Sequence, residues 1–210
     1  MDIPWACGAH DPGSIPGWGI RYQASSIKMS WAIWITGLPG SGKTTIAQKL
    51  HDTLGDIDID VDVKVLELDE IRRFITPVPS YTEEEREIVY ASLVYMAKLL
   101  VIECGKPVII DATANRRRYR ARARESIPNF AEVYVKCSLE ACMKREHARI
   151  AVHAPTFIYK KAVDEGAPVP GVNVPYEEPL NPEVIVDTER MSVEECAAKV
   201  KEFIVEKGWL

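Results

Sequence analysis

Residues 37 to 44, Gly-Leu-Pro-Gly-Ser-Gly-Lys-Thr, set three glycines, a lysine and a threonine at the spacing G-x-x-x-x-G-K-S/T. Such a run suits a polyphosphate. The glycines let consecutive backbone N–H groups turn toward one anion with no Cβ in the way. A helix opening directly behind the loop adds its positive end. Lys43 can place a point charge between the β- and γ-phosphates, and the Thr44 hydroxyl can bind Mg²⁺. Gly37, Leu38, Pro39, Gly40, Ser41, Gly42, Lys43, Thr44 and Thr45 are therefore the expected nucleotide-binding set, with ATP and Mg²⁺ as the cofactors. The loop alone does not name the recipient of the phosphoryl group.

Three downstream clusters bear on the recipient. In "LELDEIRRF" Asp69 follows a strand and Arg72 comes three residues later, so a helix starting there would put both on one face. Asp69 could orient or deprotonate an attacking hydroxyl, and Arg72 could hold an anionic acceptor. In "VIIDATANRRRYRARARE" Asp111 ends an apolar strand, where an acid would hold Mg²⁺ through water. Of the arginines that follow, Arg118 is the candidate for an acceptor phosphate, and those from Arg120 to Arg124 read as a solvated face. In "MKREHAR" Lys144 and Arg145 are candidate lid cations that would close over the transferring group and exclude water. Neither a serine–histidine–acid nor a cysteine–histidine arrangement stands out. His10, His51, His147 and His153 lack zinc-ligand spacing, and the N-K-x-D element of guanine specificity is missing. A kinase acting on a small acceptor fits best, with Lys43, Asp69 and Arg145 as catalytic candidates and Thr44, Asp69 and Asp111 as metal candidates.

The elements needed to position these groups alternate from Trp31 onward. Short β-branched runs at "WAIWIT", "VKVLEL", "VIID", "AEVYVKC" and "EVIVD" are separated by helical patterns. The pattern predicts an α/β fold with a five-stranded, mainly parallel sheet and helices on both faces. A helix from Thr82 carries a capping box, Thr82 with Glu85, and an inward stripe Val89, Leu93, Met96, Leu100. The closing helix turns Val193, Ala197, Val200 and Ile204 inward. Residues 150 to 180, rich in proline and glycine, read as a loop or lid, the lid as a whole spanning about 145 to 180. Residues 1 to 28 show no periodicity and read as a flexible extension, with translation from Met29 as an alternative start. One kinase domain, 29 to 210, is expected.

Composition sets outer limits. A 210-residue chain that is 47% hydrophobic and 27% charged has the balance of a soluble globular protein. The net charge of -5 counts against bulk affinity for nucleic acid or anionic membranes. Five scattered cysteines without a C-x-x-C pair read as reduced thiols. No run approaches the ~18 apolar residues of a membrane span, and the N-terminus lacks the order of a secretory signal. The expected setting is cytoplasmic.

From about Trp31 to its end the chain resembles the adenylylsulfate kinases, P-loop enzymes that move the γ-phosphoryl of ATP to the ribose 3′-hydroxyl of adenosine 5′-phosphosulfate. The resemblance runs through "WITGLPGSGKTTIA", "LDEIRR", "SYTEEER", "IYKKA" and "PYEEPLNPEVIVDT". It implies that Asp69 and Arg72 match the family's acid and arginine. It implies further that Tyr81 stacks on the substrate adenine, that Arg86 binds substrate, and that Lys160 and Lys161 approach the phosphosulfate. The chain departs from the family at Glu70, which replaces an asparagine, and at "ATANR", where Ala114 or Asn115 takes the place of a serine once proposed as a phospho-intermediate. Transfer must then be direct. The asparagine expected after Arg86 falls within "IVYAS", about ten extra residues (147 to 156) precede "IYKKA", and "VPGVN" replaces the lid phenylalanine. "DEIR" and "IIDATANRR" also resemble kinases of polynucleotide 5′-hydroxyls or charged tRNA, an alternative that the acidic charge and "PYEEPLNPEVIVDT" weigh against. A regulatory ATP-binding module without catalysis is disfavoured by the presence of Asp69, Arg72, Asp111 and Arg145. The expected partner is a small nucleotide substrate, adenylylsulfate, and a homodimer is compatible with this reading.

Overall fold

The computed structural model describes residues 30–55, 62–147 and 157–210. The N-terminal extension with Met29, and the inserted residues from 148 to 156, lie outside the described residues.

Five strands form the sheet: β1 (Ala32–Thr36), β2 (Lys64–Glu67), β3 (Val108–Asp111), β4 (Phe130–Lys136) and β5 (Val184–Asp187). Their order is β2-β3-β1-β4-β5 and every pairing is parallel. A parallel sheet must be covered on both faces, and β1 shows how the sequence meets that demand. Ile33 and Ile35 point to one face and Ala32 and Trp34 to the other, all fully buried. On the Ile33 face lie α1 (Lys43–Gly55), through Ile46, Leu50 and Leu54, and α7 (Val193–Glu206), through Ala197, Val200 and Ile204. The Trp34 face is covered by α3 (Glu83–Lys98), through Val89 and Leu93, and by α4 (Arg117–Ser126), through Tyr119 and Ala123. Between β2 and α3 runs α2 (Leu68–Ile75), so Asp69 and Arg72 do share a helix.

The structure corrects three local expectations. Thr82 caps α3 by accepting from the Glu85 N–H at 3.2 Å, but the Glu85 carboxylate turns away to Ser80 and Arg72. The full reciprocal box is at α7 instead, between Ser192 and Glu195. The stripe on α3 fades after Leu93 because the helix runs into a π-helical turn, Leu99–Glu103. That wider turn shifts the face by about one residue, leaving Leu100 partly buried and Val101 buried. The segment read as loop or lid also contains α6 (Ile158–Asp164), which follows α5 (Leu139–His147) and packs Tyr159 and Ala162 against Cys142 and Val169.

The helix behind the phosphate loop depends on its two buried leucines, Leu50 and Leu54. Leu50→Ala is expected to lower stability by about 2–5 kcal/mol, measured by urea unfolding.

Candidate active site

The phosphate loop lies between β1 and α1, and its shape is imposed by its neighbours. Gly40 (φ +78) and Gly42 (φ +101) adopt backbone angles that a side chain disfavours. A Cβ on Gly40 would also stand 2.6 Å from the Cys142 carbonyl oxygen, so α5 presses directly on the loop. The Lys43 ammonium donates to the Leu38 carbonyl at 2.9 Å, and Ser41 N donates to the same oxygen at 3.1 Å.

Parallel pairing brings acids to the loop. Asp111 ends β3, in register with Ile35 of β1 and Glu67 of β2. Asp69 follows in the first turn of α2. Burial first, and then the charges of Glu67 and Asp69, push the Asp111 carboxyl up to about 6, against the pull of Lys43 and a hydrogen bond with Thr44. Glu67, which the sequence reading passed over, lines the same cavity. Its position at the end of β2, matching that of Asp111 at the end of β3, was the available signal. The donor set of hydroxyl and carboxylates is all oxygen and suits Mg²⁺ rather than a soft metal. Among the described residues no three acidic, histidine or cysteine side chains close on one point. A cation here would therefore keep water or phosphate oxygens in its shell.

These groups open onto a cavity of about 380 Å³. Pro39, Lys43, Thr44, Asp69 and Asp111 line its donor end. At the other end Tyr81, itself at φ +54, lies between two arginines, with Arg72 5.0 Å and Arg86 6.0 Å from the ring centre. Both arginines are buried, at 6% and 5% exposure. Arg72 pairs with Glu85 at 2.7 Å. Burial works against ionisation of Glu85, but bonds from Ser80 and the charge of Arg72 hold its carboxyl below the usual range. Among the described residues Arg86 binds only neutral groups: the Tyr81 carbonyl (3.0 Å), the Pro168 carbonyl (3.1 Å) and Asn115 Oδ1 (3.4 Å). Its charge is thus left for an anion. Ala167 to Pro170 and Lys161 form the remaining wall. Tyr159 donates to the Pro39 carbonyl at 2.7 Å, seating α6 on the phosphate loop.

Other expected site residues stand elsewhere. Arg118 is half exposed, pairs with Glu83 and Glu87, and does not line the cavity. The acids on α3, one helix away, compete for it better than an acceptor in the cavity could. Lys160 and Thr45 are exposed and do not line the cavity. Arg145 donates to Thr188 Oγ1 (2.8 Å) and the Thr188 carbonyl (2.7 Å), while Thr188 Oγ1 donates to the Ser41 carbonyl at 3.1 Å. It braces the back of the loop rather than covering its mouth. Of the distal arginines, only Arg120 departs from the solvated face, being completely buried; Arg122 and Arg124 stay partly exposed, Arg124 in a two-bonded pair with Glu183 at 2.6 and 2.9 Å.

A parallel sheet, a phosphate loop after β1, and acids ending β2 and β3 define a P-loop kinase. The chain belongs to the adenylylsulphate kinase family, whose sequence model matches residues 29–187. A probable adenylyl-sulfate kinase from Pyrococcus abyssi is 38% identical over 181 residues, covering 86% of this chain and 98% of its own. One from Archaeoglobus fulgidus is 39% identical over 163 residues, covering 77% and 98%. Among solved structures, the APS kinase of Mycobacterium tuberculosis in complex with AMPPNP and APS superposes with a TM-score of 0.74 at 26% identity, covering 84% of this chain and 98% of that one.

The raised Asp111 carboxyl sets the sign of a stability effect. An acid whose folded pKa exceeds its unfolded value penalises folding above the folded value, here about 6, and imposes nothing below about 4. Asp111→Asn should therefore stabilise the nucleotide-free protein at pH 7 by up to about 3 kcal/mol, and the gain should vanish near pH 4. Thermal unfolding with EDTA at the two pH values checks this, and turnover should be lost in the same variant.

Proposed function

We propose that this protein transfers the γ-phosphoryl group of ATP to the ribose 3′-hydroxyl of adenosine 5′-phosphosulfate, releasing ADP and 3′-phosphoadenylylsulfate. The observation that carries this reading is one cavity joining the phosphate loop to the Arg72–Tyr81–Arg86 platform. The loop amides and Lys43 hold the β- and γ-phosphates. The adenine of the acceptor stacks on Tyr81, with Arg72, Arg86 and Lys161 facing its anionic end. Asp69 orients the 3′-hydroxyl and takes its proton as the oxygen attacks the γ-phosphorus and the bond to the β–γ bridging oxygen breaks. Mg²⁺, held by Thr44 with Asp69 and Asp111 behind water, would neutralise charge on the phosphates. The segment from α6 to Pro170 acts as the lid, excluding water so that ATP is not simply hydrolysed. Arg145 contributes by bracing Thr188 against the loop.

Direct transfer follows from the bend after β3, where Ala114 and Asn115 offer no hydroxyl. The nucleic-acid alternative loses its main support, because the α4 arginines that would track a backbone are taken up by Glu83, Glu87, Glu177 and Glu183. Among the described residues no helix is long and apolar enough to cross a membrane. The free thiols of Cys104, Cys137, Cys142 and Cys196 fit a reducing, cytoplasmic setting.

ADP release should be coupled to adenylylsulfate and should not respond to 5′-hydroxyl oligonucleotides or tRNA. Loss of a general base removes about 10²–10⁴-fold in rate, so Asp69→Ala should lose turnover on that scale while still binding ATP. Turnover with nucleic acid alone, or an Asp69→Ala enzyme at full rate, would refute the reading.

A further inference from the structure

Arg120 is the most heavily buried charge in the described structure that the proposed reaction does not use. Its side chain is wholly enclosed. One guanidinium nitrogen donates to the Ala114 carbonyl and another to the Glu177 carbonyl at 2.7 Å. Its Nε stands 3.5 Å from the Glu132 carboxylate on β4. Burial raises the Glu132 carboxyl despite Arg120 beside it, so the pair is not there for easy stabilisation. Buried ion pairs are often replaceable by apolar side chains without loss of stability. Such a pair calls for a role in geometry.

Its bonds show what that geometry is. Ala114 sits in the left-handed region at φ +44, a conformation that costs an alanine roughly 1–2 kcal/mol. The bend is held from two sides, by Arg120 at the Ala114 carbonyl and by the Tyr90 hydroxyl, which accepts from Ala114 N at 2.9 Å. The next residue, Asn115, is fully buried and uses each of its polar ends. Its carbonyl accepts from Glu177 N at 2.8 Å, its Nδ2 donates to the Pro175 carbonyl at 3.3 Å, and its Oδ1 accepts from Arg86. Arg116 and Arg117 add a grip on the Glu177 carboxylate. Arg86 then ties this bend to Tyr81 on one side and to Pro168 on the other.

We propose that Arg120 and Asn115 are positioning residues for the acceptor. The buried Glu132–Arg120 pair fixes the Ala114 bend, and Asn115 passes that placement to the Arg86 guanidinium and the Pro168 wall. The Ala114–Asn115 bend serves here as a structural joint. The amide bridges Arg86 and Pro175 at once because it offers both an acceptor and a donor. The inference rests on the reading of Arg86 as an acceptor contact.

Steady-state kinetics of the full chain with both substrates separate the possibilities. Arg86→Ala serves as the reference and should raise KM for adenylylsulfate while leaving KM for ATP unchanged. Asn115→Ala, and the paired Arg120→Leu/Glu132→Leu variant that leaves no buried charge unmatched, should each raise KM for adenylylsulfate roughly 10- to 100-fold, as misplacement by about 1 Å does, with KM for ATP within about twofold. Asn115→Asp, which loses the donor to the Pro175 carbonyl and sets a carboxylate against Arg86, should raise KM for adenylylsulfate as well. If Arg86→Ala shows the effect and the folded Asn115 and Arg120/Glu132 variants do not, the positioning role is wrong while the reading of Arg86 survives. If Arg86→Ala itself leaves acceptor KM unchanged, that reading fails and takes the inference with it. A purely structural role would lower the unfolding midpoint and change both KM values together, or neither, which also overturns the proposal. Should the double variant fail to fold, Asn115→Ala and Asn115→Asp decide the matter.

Discussion

Hydrogen bonding between β1 and β3 is the constraint on which the site depends. These strands are far apart in sequence, yet their parallel pairing sets Asp111 beside the residue preceding Thr36, from which the phosphate loop departs. The next pairing outward places Glu67 level with Asp111. Acids and the lysine of the loop are thus collected at one edge of the sheet by backbone register alone. The cost is visible in Asp111, which is buried among like charges. A sheet built for stability would not end two neighbouring strands in carboxylates and set a third in the helix turn that follows one of them. A site built to receive a divalent cation would gain from doing so, because the cation arrives with the opposite charge.

Much of this was legible in the sequence, and the exceptions share a cause. The phosphate loop, the strands and the helices α1, α3 and α7 are local features, declared by glycine spacing or by apolar period. Asp69 and Arg72 could be paired because both lie on one short helix. Glu67 escaped notice because an acid ending a strand looks like the start of a turn until the neighbouring strand is in place. The short helix α6 was hidden by the prolines and glycines around it, and it gains its stability from Cys142 and Val169 rather than from its own pattern. The arginine run was misread for a stronger reason. Nothing within "RRRYRARARE" says which arginine meets Glu132, Glu177 or Glu183, since those partners lie on other elements. Charge runs are legible as composition and illegible as contacts.

The arginine helix also changes how the acceptor side is understood. Basic residues after β3 suggest a surface waiting for phosphate, but most of them serve the protein's own glutamates and carbonyls. What faces the cavity is a smaller set, Arg72, Arg86 and Lys161 around Tyr81, held in place by a larger one behind it. In the proposed reading the donor side is built in the opposite manner, with loop backbone rather than many side chains to meet the nucleotide. One end of the cavity relies on main-chain geometry and the other on side-chain networks.

That difference bears on mutational drift at Ala114. The position is enclosed and left-handed, so larger side chains are excluded by volume and β-branched ones by backbone as well. Glycine would relax the conformation and also loosen it. The smallest side chain in the bend therefore stands at a position with a narrow range of permitted replacements, although it does not line the cavity.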